Sequence, residues 1–212
     1  MHGVISCRRC DRLVSFAQSV QQQYPEYYCK PVTAFGDESA RLLIVGLAPG
    51  MHGANASGRP FTGDASGDLL FRTLYKFGFS NQPVSSSIDD GMVLKSCRIT
   101  NAVKCLPPKN KPRGEEIESC NPFLRRELQS LPADGIVVAL GAVAHKAILK
   151  ARDLVQTKYR FAHHARFQLP GGLCLFDSYH CSRYNTQTRR LTVEMFEHLF
   201  ADIRQRLGPH NA

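Results

Sequence analysis

Four short, largely apolar runs punctuate the chain: Leu42–Val45, Arg98–Val103, Gly135–Leu140 and Leu173–Ser178. Each is too short for a stable helix and reads as a buried strand. Longer amphipathic segments lie between them. Residues 66–77 place Leu69, Leu70, Leu74 and Phe77 on one face and stop at Gly78. Residues 115–130 open with acidic side chains, as a helix N-terminus prefers. A third helix is predicted from Gly141 to about Lys150, and a last one on Leu191, Met195, Leu199, Ile203 and Leu207. Another is predicted over residues 8–23. Residues 24–40, 80–91, 153–172 and 179–190 read as irregular. Strands alternating with helices pair in parallel through right-handed crossovers. The expected fold class is therefore α/β: a three-layer α/β/α sandwich around a four-stranded, mostly parallel sheet, in one domain over residues 1–212.

Composition narrows the partners. No apolar stretch reaches the ~18 residues of a membrane helix, and no secretory leader is legible at Met1. A cytoplasmic, nucleoid-associated monomer with no membrane contact is expected. The formal charge of +9 favours a polyanion, most commonly nucleic acid. Eight cysteines in a reducing compartment argue against a disulfide framework. Cys97, Cys174 and Cys181 fall in or beside apolar runs. Cys7, Cys10, Cys105 and Cys120 form a second group, with Cys29 a possible fifth. Four thiolates suit zinc or a [4Fe–4S] cluster, and spacing alone leaves both open beside unrelated reduced thiols. Lys104, Lys109, Lys111 and Arg113 crowd the same region, where they could offset a cluster's charge, meet phosphates or stay solvated.

The segment Gly46–Gly67 holds six glycines and two prolines in 22 residues and follows the first strand. Open α/β sheets bind ligands at the carboxyl ends of their strands, and glycines let backbone approach a ligand closely. The segment lacks the lysine of a phosphate-binding P-loop.

Three motifs then carry a resemblance: Gly46-Leu-Ala-Pro with Gly58-Arg-Pro-Phe-Thr-Gly-Asp64; Asn101-Ala-Val-Lys-Cys105-Leu-Pro-Pro-Lys-Asn-Lys-Pro112; and Ser178-Tyr-His-Cys-Ser-Arg-Tyr-Asn-Thr-Gln-Thr188. Together with the cysteine spacing, they resemble the iron–sulfur uracil-DNA glycosylases, type b or family 5. The resemblance implies a DNA-repair hydrolase that cleaves the N-glycosidic bond of uracil, and of hypoxanthine or xanthine, leaving an abasic site. It implies a [4Fe–4S] cluster on Cys7, Cys10, Cys105 and Cys120. It implies catalytic roles for Asp64, His180 and Asn110. Base binding falls to Gly46, Ala48, Gly50, Phe61 and Asn101, and DNA contact to Ser182, Arg183 and Asn185. Leu47 stands where other families carry a polar catalytic residue, which moves the chemistry onto Asp64. Asp64 also suits a helix N-cap. His52 and Asn55 lie in the same loop without a separable role, and His163 and His164 read as surface residues. The rival reading is a non-catalytic iron–sulfur module that binds damaged or single-stranded DNA; a zinc-bound regulatory module is a third.

Overall fold

The structure is a computed structural model that describes residues 3–208. The two ends of the expected 1–212 domain, residues 1–2 and 209–212, lie outside the described residues. In chain order the elements are α1 (Asp11–Gln23), β1 (Phe35–Gly36), β2 (Leu42–Gly46), α2 (Ala54–Ser57), α3 (Ala65–Lys76), β3 (Cys97–Asn101), α4 (Gly114–Gln129), β4 (Ile136–Leu140), α5 (Ala142–Ala151), β5 (Arg166–Gln168), β6 (Cys174–Ser178), α6 (Arg183–Gln187) and α7 (Val193–Leu207).

The sheet order is β1-β3-β2-β4-β6-β5. The central four strands are parallel and correspond to the four apolar runs. Every residue in them is buried, as expected of a parallel sheet covered on both faces. Alternate side chains divide between two cores. Leu42, Ile44, Ile99, Val138 and Phe176 pack with α3 and α7, while Leu43, Val45, Val137, Ala139 and Leu175 pack with α4 and α5.

The sheet has six strands where four were expected. β1 and β5 are short antiparallel edge strands, two and three residues long. Neither carries an apolar run, because an edge strand needs only backbone pairing. Three further boundaries shift. Cys10 becomes the N-cap of α1, so that helix begins at Asp11. β3 ends at Asn101; beyond it the Ala102 and Val103 N–H groups donate to the Gly46 and Leu47 carbonyls. The segment 179–190 contains the short helix α6, capped by Ser182.

Register aligns the strand ends that matter. Gly46 pairs with Asn101, and Leu140 with Ser178. The glycine loop, the residues after β3, the β4–α5 turn and the motif after β6 therefore meet at the carboxyl edge of the sheet.

Candidate active site

A cavity of about 360 Å3 opens at that edge. Leu47, Ala48, Gly50 and Ala54 from the glycine loop line it, with Phe61, Asp64, Asn101, Asn110, Leu140–Val143, His180 and Ser182. All three expected catalytic residues thus share one cavity. Of the expected base-binding residues, Ala48, Gly50, Phe61 and Asn101 line it, and Gly46 lies directly beneath. A Cβ on Gly46 would stand 2.4 Å from Asn101 Oδ1 and 2.5 Å from Phe61 Cζ. Only glycine leaves room for both side chains to lie over the strand end.

Asp64 divides its two oxygens. Oδ1 accepts from Ser66 N–H at 2.9 Å and Gly67 N–H at 3.1 Å, capping α3. Oδ2 faces the glycine turn: a Cβ on Gly53 would stand 2.6 Å from it, and one on Gly50 3.1 Å. The cap reading and the chemical reading are therefore compatible, because each uses a different oxygen. The backbone bonds also fix the carboxylate's direction.

His180 follows β6. Its backbone carbonyl accepts from Asn185 Nδ2 at 2.8 Å, so Asn185 holds the histidine in place and is not simply a side chain offered to DNA. The buried Nδ1 has no hydrogen-bond partner among the described residues. Burial pushes the His180 pKa below the ordinary histidine value, although the charge of Asp64 pulls the other way. The imidazole is therefore neutral at pH 7 and has one N–H to donate. Its ring is nearly parallel to that of Phe61, 23° apart with centroids at 6.1 Å. Phe61 adopts φ +60 and is 5% exposed, so it belongs to the core and to the cavity wall together.

Asn101 is buried at the end of β3, whereas Asn110 is exposed on a rigid turn. Lys109 and Asn110 are both left-handed, at φ +56 and +55. Two consecutive non-glycine residues in that region are uncommon, and from this turn Asn110 lines the cavity.

The four grouped cysteines come from three segments. Cys7 and Cys10 precede α1, Cys105 follows β3, and Cys120 lies in α4; all four line one cleft. Ala48 packs against the same cluster, so the cleft and the cavity share a wall. Lys104 N–H donates to Cys120 Sγ at 3.2 Å. Burial pushes Cys105 up to about 12 and Cys120 up to about 11, so a cation is needed to ionise them in place. Among the described residues no three His, Cys, Asp or Glu side chains converge as ligands of one metal ion. Arg12 clasps Glu116 across this region with two bonds of 2.7 Å, tying α1 to α4. Cys29 is buried beside the cleft, and its sulfur accepts from Asn55 Nδ2 at 3.4 Å.

Several residues do work that sequence reasoning missed. Arg59 is 4% exposed and binds Asp90 at 2.6 Å and Ser85 at 2.9 Å, anchoring the 85–90 loop to the glycine-rich segment. Lys104 neither faces a phosphate nor stays solvated. It is 1% exposed, and its ammonium meets Glu127 at 2.8 Å and the Asn101 carbonyl at 2.9 Å, bracing the base of the cavity. Tyr184 is 71% exposed on α6, one residue after Arg183, which is also exposed. His163 is half-buried, with its ring stacked on Tyr179 at 5.2 Å, and so is not a free surface residue.

Comparison with known proteins agrees with this geometry. The family model described as the uracil DNA glycosylase superfamily matches residues 33–204, from before β1 into α7. A Type-5 uracil-DNA glycosylase of Thermus thermophilus is 44% identical, with 96% of this chain and 94% of the relative covered. One of Pyrobaculum aerophilum is 43% identical over 92% and 86%. A Type-4 uracil-DNA glycosylase of Archaeoglobus fulgidus is 32% identical over 71% and 62%. With the match running through every strand and every wall of the cavity, the chain belongs to the uracil DNA glycosylase superfamily.

Proposed function

We propose that this chain is a type-5 uracil-DNA glycosylase that hydrolyses the bond between a deaminated base and its sugar in DNA, leaving an abasic site. The observation that carries this reading is the convergence of Asp64, Asn101, Asn110, Phe61 and His180 on one cavity of about 360 Å3. A base inside a duplex is unreachable, so it must first be flipped out. Phe61 offers a flat apolar face against which the base stacks. The Asn101 side-chain amide supplies both a donor and an acceptor to the base edge. Ala48, Gly50 and Ala54 keep the facing wall low, with backbone in reach.

Cleavage moves electrons from the C1′–N bond onto the base and leaves the sugar cationic. The neutral His180 donates a hydrogen bond to the base oxygen on which negative charge grows. Asp64 Oδ2 stabilises the sugar cation and orients the water that attacks C1′. That water gives its oxygen to C1′, and the departing base gains a proton. Asn110 lines the same cavity, where its side-chain amide can reach the bound nucleotide. Leu47 contributes apolar wall, so no second carboxylate competes with Asp64. Small apolar side chains at Ala48, Ala54 and Ala142 leave space beyond one pyrimidine ring, which supports hypoxanthine and xanthine as further substrates.

Cys7, Cys10, Cys105 and Cys120 would hold a [4Fe–4S] cluster, which would fasten the N-terminal segment, the loop after β3 and α4 to one another. Four sulfurs spread around one cleft and the Lys104 N–H bond to Cys120 support this ligand set.

The test is excision across duplex and single strands carrying uracil, hypoxanthine or xanthine, followed by alkali. Alkali-dependent breaks at the uracil are expected. Tight binding of the same DNA without any break would return the reading to a non-catalytic DNA-binding module.

A further inference from the structure

The turn at the cavity wall carries one side chain that the reaction above does not use. His52 is exposed, yet its ring is fixed. Nδ1 lies 2.9 Å from the Tyr27 hydroxyl. The rings of Tyr24 and Tyr27 meet it edge-on at 5.6 and 5.9 Å. The two tyrosines stack on each other at 4.7 Å and rest against Val20 and Leu106. An exposed side chain ordinarily keeps its rotamer freedom, and ordering it costs entropy. Here the ordering satisfies only Nδ1. Nε2 makes no hydrogen bond to any described residue.

The tyrosine hydroxyl can donate to Nδ1 or accept from it, according to the ring tautomer. A hydroxyl that donates to Nδ1 leaves the ring hydrogen on Nε2. The place is defined. Gly50, two residues before His52, lines the cavity, and Gly53, the next residue, abuts Asp64. His52 therefore sits in the turn beside the cavity, between the lining residue Gly50 and Gly53 next to Asp64. The exposed Lys109 and Lys111 flank the rim residue Asn110, and Arg183 follows the lining residue Ser182. A held imidazole with its second nitrogen unpartnered, beside a base-sized cavity on a chain of charge +9, fits an anionic oxygen of the strand entering that cavity.

Resting on the glycosylase reading, we infer that His52 donates from Nε2 to a phosphodiester oxygen of the strand carrying the flipped nucleotide, with Tyr27 as the positioning residue that aims it. The contact fixes register and orientation and reads no base.

The test uses the full chain and a duplex with one abasic site, the product, which is not turned over. Single methylphosphonates, which remove one phosphate charge each, are scanned along the target strand while Kd is measured. In the wild type, one position within a nucleotide or two of the site should weaken binding about tenfold, as for a hydrogen bond to a charged group. In His52→Ala that position should cost nothing further, while the slope of log Kd against log salt should stay as in wild type, because a neutral N–H donor releases no counterion. Tyr27→Phe should reduce the same position's effect without changing the thermal midpoint. His52→Gln, which keeps an N–H donor, covers the case in which the alanine variant fails to fold; it should retain part of the coupling. Equal methylphosphonate effects at every position in wild type and variants would overturn the inference. A wild type that shows the coupling but releases no uracil would instead overturn the glycosylase reading and leave the phosphate contact standing.

Discussion

Asp64 performs two tasks with two oxygens, and substitution separates them. Oδ1 holds two N–H groups at the start of α3. Removing such a cap costs about 1 kcal/mol, which lowers the midpoint of a chain this long by roughly 2–4 °C. An asparagine in its place would keep an acceptor at Oδ1 and lose the charge at Oδ2. Asp64→Asn should therefore melt within about 1 °C of wild type, on the same scale, yet excise uracil on the order of a hundredfold more slowly. Asp64→Ala should lose both stability and rate. Gly53→Ala supplies a third view, because its Cβ would press within 2.6 Å of Oδ2 and move the carboxylate without changing its chemistry. Its rate should fall as well. The assay is single-turnover release from a uracil duplex at saturating enzyme, paired with a thermal melt on the same samples. If Asp64→Asn cuts at close to the wild-type rate, the carboxylate charge is not used, and Asp64 is a cap alone.

Other consequences follow from the same geometry. The depressed pKa of His180 keeps it neutral down to about pH 6.5, the ordinary histidine value, so the rate it supports should stay flat from about pH 8 to that point and fall only in more acid solution; a limb centred above about pH 7 in a pH–rate profile would contradict this. The sign for stability matches: below about pH 6.5 the unfolded chain binds the proton that folded His180 refuses, so stability drops as pH falls through that range. Arg59 holds the Asp90 carboxyl well below the usual carboxylate range, so its contribution is present above about pH 4 and lost as pH falls through the folded value. Asp90→Asn should cost about 3 kcal/mol by denaturant melt at neutral pH and flatten the acid limb of stability. Tyr184→Ala should slow excision from duplex more than from single-stranded DNA, since an exposed rim aromatic has a stacking gap to fill only in a duplex; equal losses on both would remove that role.

The parts that are legible in the sequence are those that leave a periodic or chemical imprint. The four central strands are buried on both faces and had to be apolar runs. The glycine loop had to be open because Gly46 lies under both Asn101 and Phe61. The site residues cluster because three motifs end three parallel strands, β2, β3 and β6, whose carboxyl ends share one edge of the sheet. The edge strands β1 and β5 leave no imprint, since two or three residues paired through backbone need no particular side chains. α6 stays hidden because five polar residues have no apolar face. Arg59 and Lys104 look like two more surface cations in a basic chain. Their burial depends on Asp90 and Glu127, partners 31 and 23 positions away that no local pattern announces.

The central claim is that this cavity takes a flipped uracil and cuts it free. It is tested most directly by quantifying free uracil released from a duplex with a single uracil, alongside strand scission before and after alkali. Release of one uracil per duplex, with scission only after alkali, is the predicted result. No free uracil from a folded protein that binds the duplex would contradict it.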